Sequence, residues 1–428
     1  MALLLHKLSQ SQLALKTAVK QTQRWWRLRT RRHGYCQRQV LTIGNVVVNL
    51  KLPYVVERRT KPKGKKRIPT QGFCPWLRWL GMSEGITPLV WSTVAEYGTT
   101  SSSFAVARSQ LRQWGIQMSL RRIERLTYHF GLLGISQRDL KIYQLERERL
   151  ATGIVLTNQR VVIAVDGGRT RMRINKTGRR HPKTRRHGYV GQWVEPKLLT
   201  IYTVDERGRK IKTLPVTNDG TYQDCQGFLK ILEMHLVSLG IATAQQVLLI
   251  GDGAEWIWHQ IPPLLKRLGC GTKTYQLLDF YHATQHLYSF ADAAFPNETE
   301  RQKWFKSARS YLKKGQINTL LENMYALTKQ ADGESHKNMN SQINYLTKAS
   351  EDGRLNYAQI SAYKLPIGSG AIESLVRQVV NLRLKGNGKF WLPKNAEIML
   401  HARCQWTAGA WNNFSDSILT ALLNPASG

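Results

Sequence analysis

Two short apolar runs constrain this chain more than anything else in it. Val161-Val-Ile-Ala-Val165 and Val247-Leu-Leu-Ile250 are continuous rather than alternating, the pattern of strands covered on both faces in a sheet packed between helices. Each leads to an aspartate followed by glycine, as Asp166-Gly-Gly168 and, after Gly251, Asp252-Gly253. The C-terminal edge of a buried strand is where open α/β sheets carry their ligands. A following glycine lets the chain turn sharply and leaves the carboxylate unshielded.

The pattern around these runs predicts strand, strand, strand, helix, strand, helix, strand, helix over residues 159–291. The elements are strands at Arg160–Asp166, Val194–Val204 and Ile211–Val216, a helix over Tyr222–Leu239, a strand at Val247–Asp252, a helix over Trp256–Leu268 and a strand at Thr274–Leu278. That order implies an α/β fold with a sheet of mixed direction. Residues 297–349 have a helical pattern, with Trp304, Ala308, Tyr311 and Leu312 on one side and a polar stretch near Ser335–Gln342. A further helix starts around Ala371.

The chain has 428 residues, enough for two or three domains. Its 63 Lys and Arg outweigh 28 Asp and Glu, a formal charge of +35 that a polyanion would neutralise. Nucleic acid is the expected partner. No apolar stretch is long enough to cross a bilayer, and Met1-Ala-Leu-Leu-Leu5 is broken at once by His6 and Lys7, so no membrane role or signal peptide is expected. Five scattered cysteines without a Cys-x-x-Cys pair argue against a disulfide framework or structural zinc and point to a reducing cytoplasm.

Residues 1–80 carry 18 Lys and Arg and a single acid, Glu57, with clusters at Arg27–Arg32 and Arg58–Arg67. This arm reads as phosphate-contacting. Val40–Val56 is rich in β-branched residues, suited to one or two strands interrupted by Gly44, Asn45 and Pro53. Ser101–Trp114 follows a helical period, Gly115 breaks it, and Ser119 is placed to cap a second helix through His129 that carries Arg121, Arg122 and Arg125 outward. Two short helices, the second basic, suggest a helix-turn-helix; an ordinary helical hairpin is the other reading. Ser136–Leu150 reads as a separate helix capped by Ser136.

Two carboxylates of this kind suit Mg²⁺, a hard ion that takes oxygen ligands. Phosphoryl transfer with a metal pair normally needs a third. Glu373 fits, in Pro366-Ile-Gly-Ser-Gly-Ala-Ile-Glu373-Ser-Leu-Val-Arg377, where glycines precede a helix and Glu373 falls in its first turn. Any one of these acids alone would read as a cap or a dipole partner; three in this order form a constellation.

With these residues in view, the chain resembles the DDE transposases of the RNase H-like superfamily. More narrowly it is similar to the Kra group of bacterial insertion-sequence transposases, related to Mutator-type elements. The likeness rests on Val165-Asp-Gly-Gly168, Ile250-Gly-Asp-Gly-Ala-Glu-Trp-Ile257, Asp279-Phe-Tyr-His282 and Ile367-Gly-Ser-Gly-Ala-Ile-Glu-Ser374, running on to Arg383-Leu-Lys385 and Gly388-Lys-Phe-Trp391. Gly168 and Arg169 depart from the Thr or Val common in related families.

The resemblance implies that Asp166, Asp252 and Glu373 bind two Mg²⁺ or Mn²⁺ ions, and that a helical insertion lies between the last two acids. It also implies supporting roles for Asp279 and His282, with His282 beside the metals; a core histidine held by Asp279 is the alternative. Arg377, Arg383 and Lys385 are expected at phosphates near the scissile bond. The loop Arg169–Gly188 holds nine Lys and Arg, among them Arg169, Arg171, Arg179, Arg180, Arg185 and Arg186. It reads as too long and polar for a simple hairpin and is expected along the DNA backbone. Trp193, Trp256, Trp258 and Trp391 are candidates to stack on an unpaired base.

The implied activity is cleavage at terminal inverted repeats and joining of the ends to target DNA, by a homodimer or larger assembly, in the bacterial cytoplasm and on the nucleoid. The rivals are a structure-selective nuclease and a catalytically silent DNA-binding descendant. The expected divisions are a basic arm at 1–95, a helical DNA-reading region at 96–150, a catalytic core at 159–291, a helical insertion at 292–365 and the Glu373 part of the core at 366–428.

Overall fold

The computed structural model describes residues 1–26, 30–57, 72–185 and 187–423. Arg27, Arg29, the Arg58–Arg67 cluster and Arg186 lie outside them. The chain divides into two compact units, Met1–Arg138 with His401–Gly428 and Asp139–Leu400. The residues after 400 therefore group with the N-terminal unit rather than with the Glu373 segment as expected.

The first unit opens with α1 (Ala2–Gln10) and α2 (Gln12–Thr22), separated by Ser11, whose hydroxyl accepts the Ala14 N–H. A hairpin follows, β1 (Thr30–Leu41) against β2 (Val47–Glu57), with β3 (Gly72–Phe73) on its other edge. Gly44 and Asn45 adopt positive φ at 78° and 60°, which is why this pair forms the turn. Alternate residues Val48, Leu50 and Leu52 of β2 are buried with Leu5, Leu15 and Trp76. Short α3 (Pro75–Trp79) completes this core. Cys36 and Cys74, far apart in sequence, bring their sulfurs to 3.2 Å as free thiols.

A second core gathers α4 (Pro88–Thr100), α5 (Phe104–Gln113) and the start of α6 (Leu120–Glu146) around Trp91, Leu111, Ile123 and Phe130. Ser103 caps α5 through the Val106 N–H. The expected break before Ser136 is absent: α6 is one helix of 27 residues. Ser136 donates its hydroxyl back to the Leu132 carbonyl instead of capping. α5 and α6 do form two helices joined by a turn at Gly115 (φ 64°), with the Ser119 hydroxyl accepting the Arg122 N–H, but the second runs on to Glu146 instead of ending near His129.

In the second unit, β4 (Arg160–Gly167) is central. It is followed by the ribbon β5 (Thr170–Asn175) and β6 (Tyr189–Val194), then β7 (Lys197–Val204), β8 (Thr217–Thr221), α7 (Cys225–Leu239), β9 (Gln246–Gly251), α8 (Glu255–Arg267) and β10 (Thr274–Leu278). The main sheet runs β10-β9-β4-β7-β8. β4 pairs parallel with β9 and antiparallel with β7, and β9 pairs parallel with β10. The fold is thus α/β around a mixed five-stranded sheet, and the two apolar runs are its two innermost parallel neighbours. Asp224 caps α7, which ends at Gly240 with φ 82°.

Three strand expectations need correction. Val194–Val204 is not one strand: Glu195 and Pro196 part β6 from β7, because proline cannot donate to a ladder. Ile211–Val216 is loop and β8 begins only at Thr217, after Pro215. The segment Arg169–Gly188, expected to be no simple hairpin, begins with β5, which pairs with β6 from Thr170↔Val194 to Asn175↔Tyr189.

Helices follow: α9 (Phe280–Ala294), α10 (Glu298–Lys313), α11 (Ile317–Thr328), α12 (Gly333–Glu351), α13 (Tyr357–Ala362) and α14 (Gly370–Val376). The polar stretch Ser335–Gln342 lies inside α12, which packs along α9 with Met339, Ile343 and Leu346 buried. A π-helical turn, Arg377–Leu384, continues α14. α15 (Pro393–Thr407) and α16 (Trp411–Leu423) end the described chain. No helix among the described residues is long and apolar enough to cross a membrane.

Candidate active site

The site is built on register. The last β4–β9 pair is Val165↔Gly251, so Asp166 and Asp252 are the next residues on two adjacent parallel strands. Adjacent strands lie about 4.8 Å apart, which brings the two acids together at one sheet edge. The Asp166 carboxylate accepts the Gly167 N–H at 2.6 Å, and that of Asp252 accepts the Ala254 N–H at 3.0 Å. Neither bond uses both oxygens.

Gly168 has a steric reason. A Cβ there would lie 3.2 Å from Val380 and 3.3 Å from Val376, so the turn after Asp166 packs directly on the helix that carries Glu373. That helix, α14, lies against β4 and β7. Glu373 is in its first turn, with its N–H bonded to the Ser369 carbonyl at 3.1 Å and its carboxylate 3.3 Å from the Ser369 hydroxyl.

Asp279 ties the elements together. Its own N–H reaches the Gly251 carbonyl at 2.9 Å, its Oδ1 accepts the Ser369 N–H at 2.7 Å, and its Oδ2 accepts the His282 N–H at 3.0 Å. It therefore caps α9 and holds the loop before Glu373, and its bond to His282 is through the backbone, not the imidazole.

Burial chiefly pushes the Asp166 carboxyl up to about 7; the Gly167 N–H opposes this, and Asp252, Glu373 and Asp279 then add to it as like charges. Asp252, Glu373 and Asp279 thus all lie within electrostatic reach of Asp166. Among the described residues no three His, Cys, Asp or Glu side chains stand close enough to form a ready-made metal cage. The two observations agree, because charges act in a low-dielectric site over longer distances than a coordination bond spans. Asp166 and Asp252 are half-buried, Asp279 is buried and Glu373 is exposed.

Near Asp252 lies a group of which the sequence flagged only His282. His282 and His286 bring their Nε2 atoms to 3.4 Å, His286 stacks on Tyr345 at 3.7 Å with an interplanar angle of 15°, and His286 Nδ1 lies 2.6 Å from Gln342 Oε1. Burial holds the His286 imidazole below its ordinary pKa, and burial followed by the Asp252 charge pushes the Tyr345 phenol up. The His282-x₃-His286 spacing on one helix face was the available signal; for Tyr345, beyond the polar stretch Ser335–Gln342, there was none.

The basic candidates separate by exposure. Arg169, Arg171, Arg179, Arg180, Arg185, Arg377 and Lys385 are exposed, as is Arg121. Arg122 is half-buried and donates to the Glu84 carbonyl at 2.9 Å. Arg383, expected at a phosphate, is instead 3 % exposed in the π-helical segment, with its guanidinium 5.3 Å from the Trp391 ring. Trp258 and Trp391 are buried and Trp256 is half-buried against Phe228, so Trp193 alone of the four tryptophans is well exposed.

No protein-family model matches the chain, and no curated relative matches it. Among solved structures, the Drosophila P element transposase strand transfer complex aligns over 79 % of this chain and 80 % of that one, at 11 % identity and a TM-score of 0.25. A likeness that slight carries no argument.

Proposed function

We propose that this chain is a DNA transposase with an RNase H-like core, which cuts the ends of a mobile element and joins them to target DNA. What supports the reading is that Asp166 and Asp252 follow the last paired residues of two adjacent parallel strands, and that the charges of Asp252 and of Glu373, on a late helix, both act on the Asp166 carboxyl. The formation of a single sheet by the strand and helix order expected for such enzymes supports it, as does the charge of +35.

Asp166, Asp252 and Glu373 would hold Mg²⁺ or Mn²⁺. When bound, such ions supply charge stabilisation to an in-line displacement at phosphorus. The protein's own contribution is positional. Asp279 fixes the Ser369 turn and so the place of Glu373, and Gly168 lets that helix close on Asp166. The exposed cations Arg169, Arg377 and Lys385 near the acids in sequence would neutralise phosphates on either side of the cut. Two ends must be held for joining, so a dimer or larger assembly on DNA is part of the proposal, as is a cytoplasmic location.

The test uses a DNA fragment carrying the chain's own gene with its flanking sequence, incubated with Mn²⁺ and a target plasmid. Cleaved 3′ ends and covalently joined products, both lost in Glu373→Gln, are expected. Cleavage without joining would make the chain a nuclease; DNA binding without either, equal in wild type and Asp252→Ala, would leave only a binding protein.

A further inference from the structure

The β5–β6 ribbon has one face of unusual composition. Register pairs Arg171 with Trp193, Arg173 with Gly191 and Asn175 with Tyr189, so these alternate residues share a side. On it the Arg171 guanidinium lies 4.8 Å from the Trp193 ring and 5.6 Å from that of Phe390, and Arg173 lies 5.0 Å from the Tyr189 ring. Phe390 meets Tyr189 edge-on at 5.4 Å. It crosses the ribbon above Gly191, where a Cβ would come within 2.8 Å of the ring. The result is a row of three rings interleaved with arginines.

The row is anchored. Trp391 exchanges two backbone hydrogen bonds with β5, donating to the Arg171 carbonyl at 3.0 Å and accepting from the Arg173 N–H at 2.7 Å. The segment that follows Glu373 therefore holds the ribbon in place. Yet Trp193 remains 49 % exposed and Tyr189 44 %, and residues 169–194 contain nine Lys and Arg and not one acid.

We infer that this face binds unpaired DNA bases, with the cations of the ribbon and its tip tracking the strand's phosphates. The inference rests on the DNA reading above and specifies which form of DNA this surface takes. Cations alone serve a duplex, whose bases hide their faces in the stack; exposed rings add nothing to a phosphate. An unstacked base offers a π-face to Trp193 or Tyr189, and an arginine already lying against each ring holds that ring in place for it.

The experiment measures fluorescence anisotropy of the full chain, in EDTA, with a labelled single-stranded oligonucleotide and with the same sequence as a duplex. Trp193→Ala should lose roughly tenfold in affinity for the single strand, Trp193→Phe should recover most of it, and duplex affinity should hold. Circular dichroism of each variant establishes that it is folded. Equal single-strand affinity in wild type and Trp193→Ala overturns the inference alone, as does a parallel loss on both probes. Failure of the wild type to bind either probe overturns the DNA reading, and the inference with it.

Discussion

Asp279 and Ser369 are joined by a 2.7 Å hydrogen bond from the backbone N–H of one to the carboxylate of the other across ninety residues of chain, while the second carboxylate oxygen accepts the His282 N–H. Asp279 is 4 % exposed and Ser369 6 %, so water has little access to the Ser369 donor. Asp279→Ala should cost about 2–4 kcal/mol, the penalty of stranding buried donors. Asp279→Asn keeps one acceptor and should fall between. Denaturant unfolding checks the order; an alanine variant as stable as wild type would remove the bridging role.

Asp166 gives the fold a pH dependence. Its carboxyl titrates near 7 when folded and near the ordinary value of 3.8 when unfolded. Between these values the native state holds a proton that the unfolded state has released, so stability falls as pH rises from about 4 to about 7 and is flat above. The loss is on the order of 4 kcal/mol, since each unit is worth about 1.4. Asp166→Asn should therefore unfold at a higher temperature than wild type at pH 8 in EDTA, with little difference at pH 4. Added Mn²⁺ should narrow the gap at pH 8, because the wild-type site then keeps its charge. Equal melting at pH 8 in EDTA would mean that burial does not hold the Asp166 carboxyl above its ordinary pKa.

The centre of the sheet was legible because continuous apolar strands leave a signal that needs no partner: Val161–Val165 and Val247–Ile250 both fall inside observed strands. The ribbon was not, since its strands are half exposed and Arg171, Arg173 and Tyr189 look like loop chemistry until paired. The places of the three acids, two at the ends of adjacent strands and Glu373 in a first helical turn, were legible in the sequence. The contacts that hold them were not: Asp279 to Ser369 and Tyr345 to Gly253 span distances at which sequence spacing carries no information.

Arg383 and Lys385 looked equivalent in sequence, and their different burial separates them. Arg383→Ala removes a guanidinium packed on Trp391, and should cost about 2–4 kcal/mol through lost packing. Lys385→Ala, on an exposed residue, should leave stability within about 0.5 kcal/mol while lowering the salt dependence of DNA binding by close to one phosphate contact. Unfolding curves and binding titrated against salt distinguish them; the reverse pattern would contradict the assignment.

Gly253, next to Asp252, lies directly beneath Tyr345: a Cβ there would sit 1.9 Å from the phenolic oxygen and 2.6 Å from the ring. The ring has no easy retreat, because it stacks on His286, which is itself held by Gln342. The Tyr345 hydroxyl is buried without a hydrogen-bond partner among the described residues, so the helix–turn contact is set by shape. Gly253→Ala should cost about 1–3 kcal/mol as an overpacked site and displace Asp252 enough to lower Mn²⁺ affinity. In a Tyr345→Ala background the same alanine meets open space, and its added cost should nearly vanish. The coupling is read from a double-mutant cycle in denaturant; strict additivity would show that the two residues do not limit each other, and that Gly253 is there only for the turn.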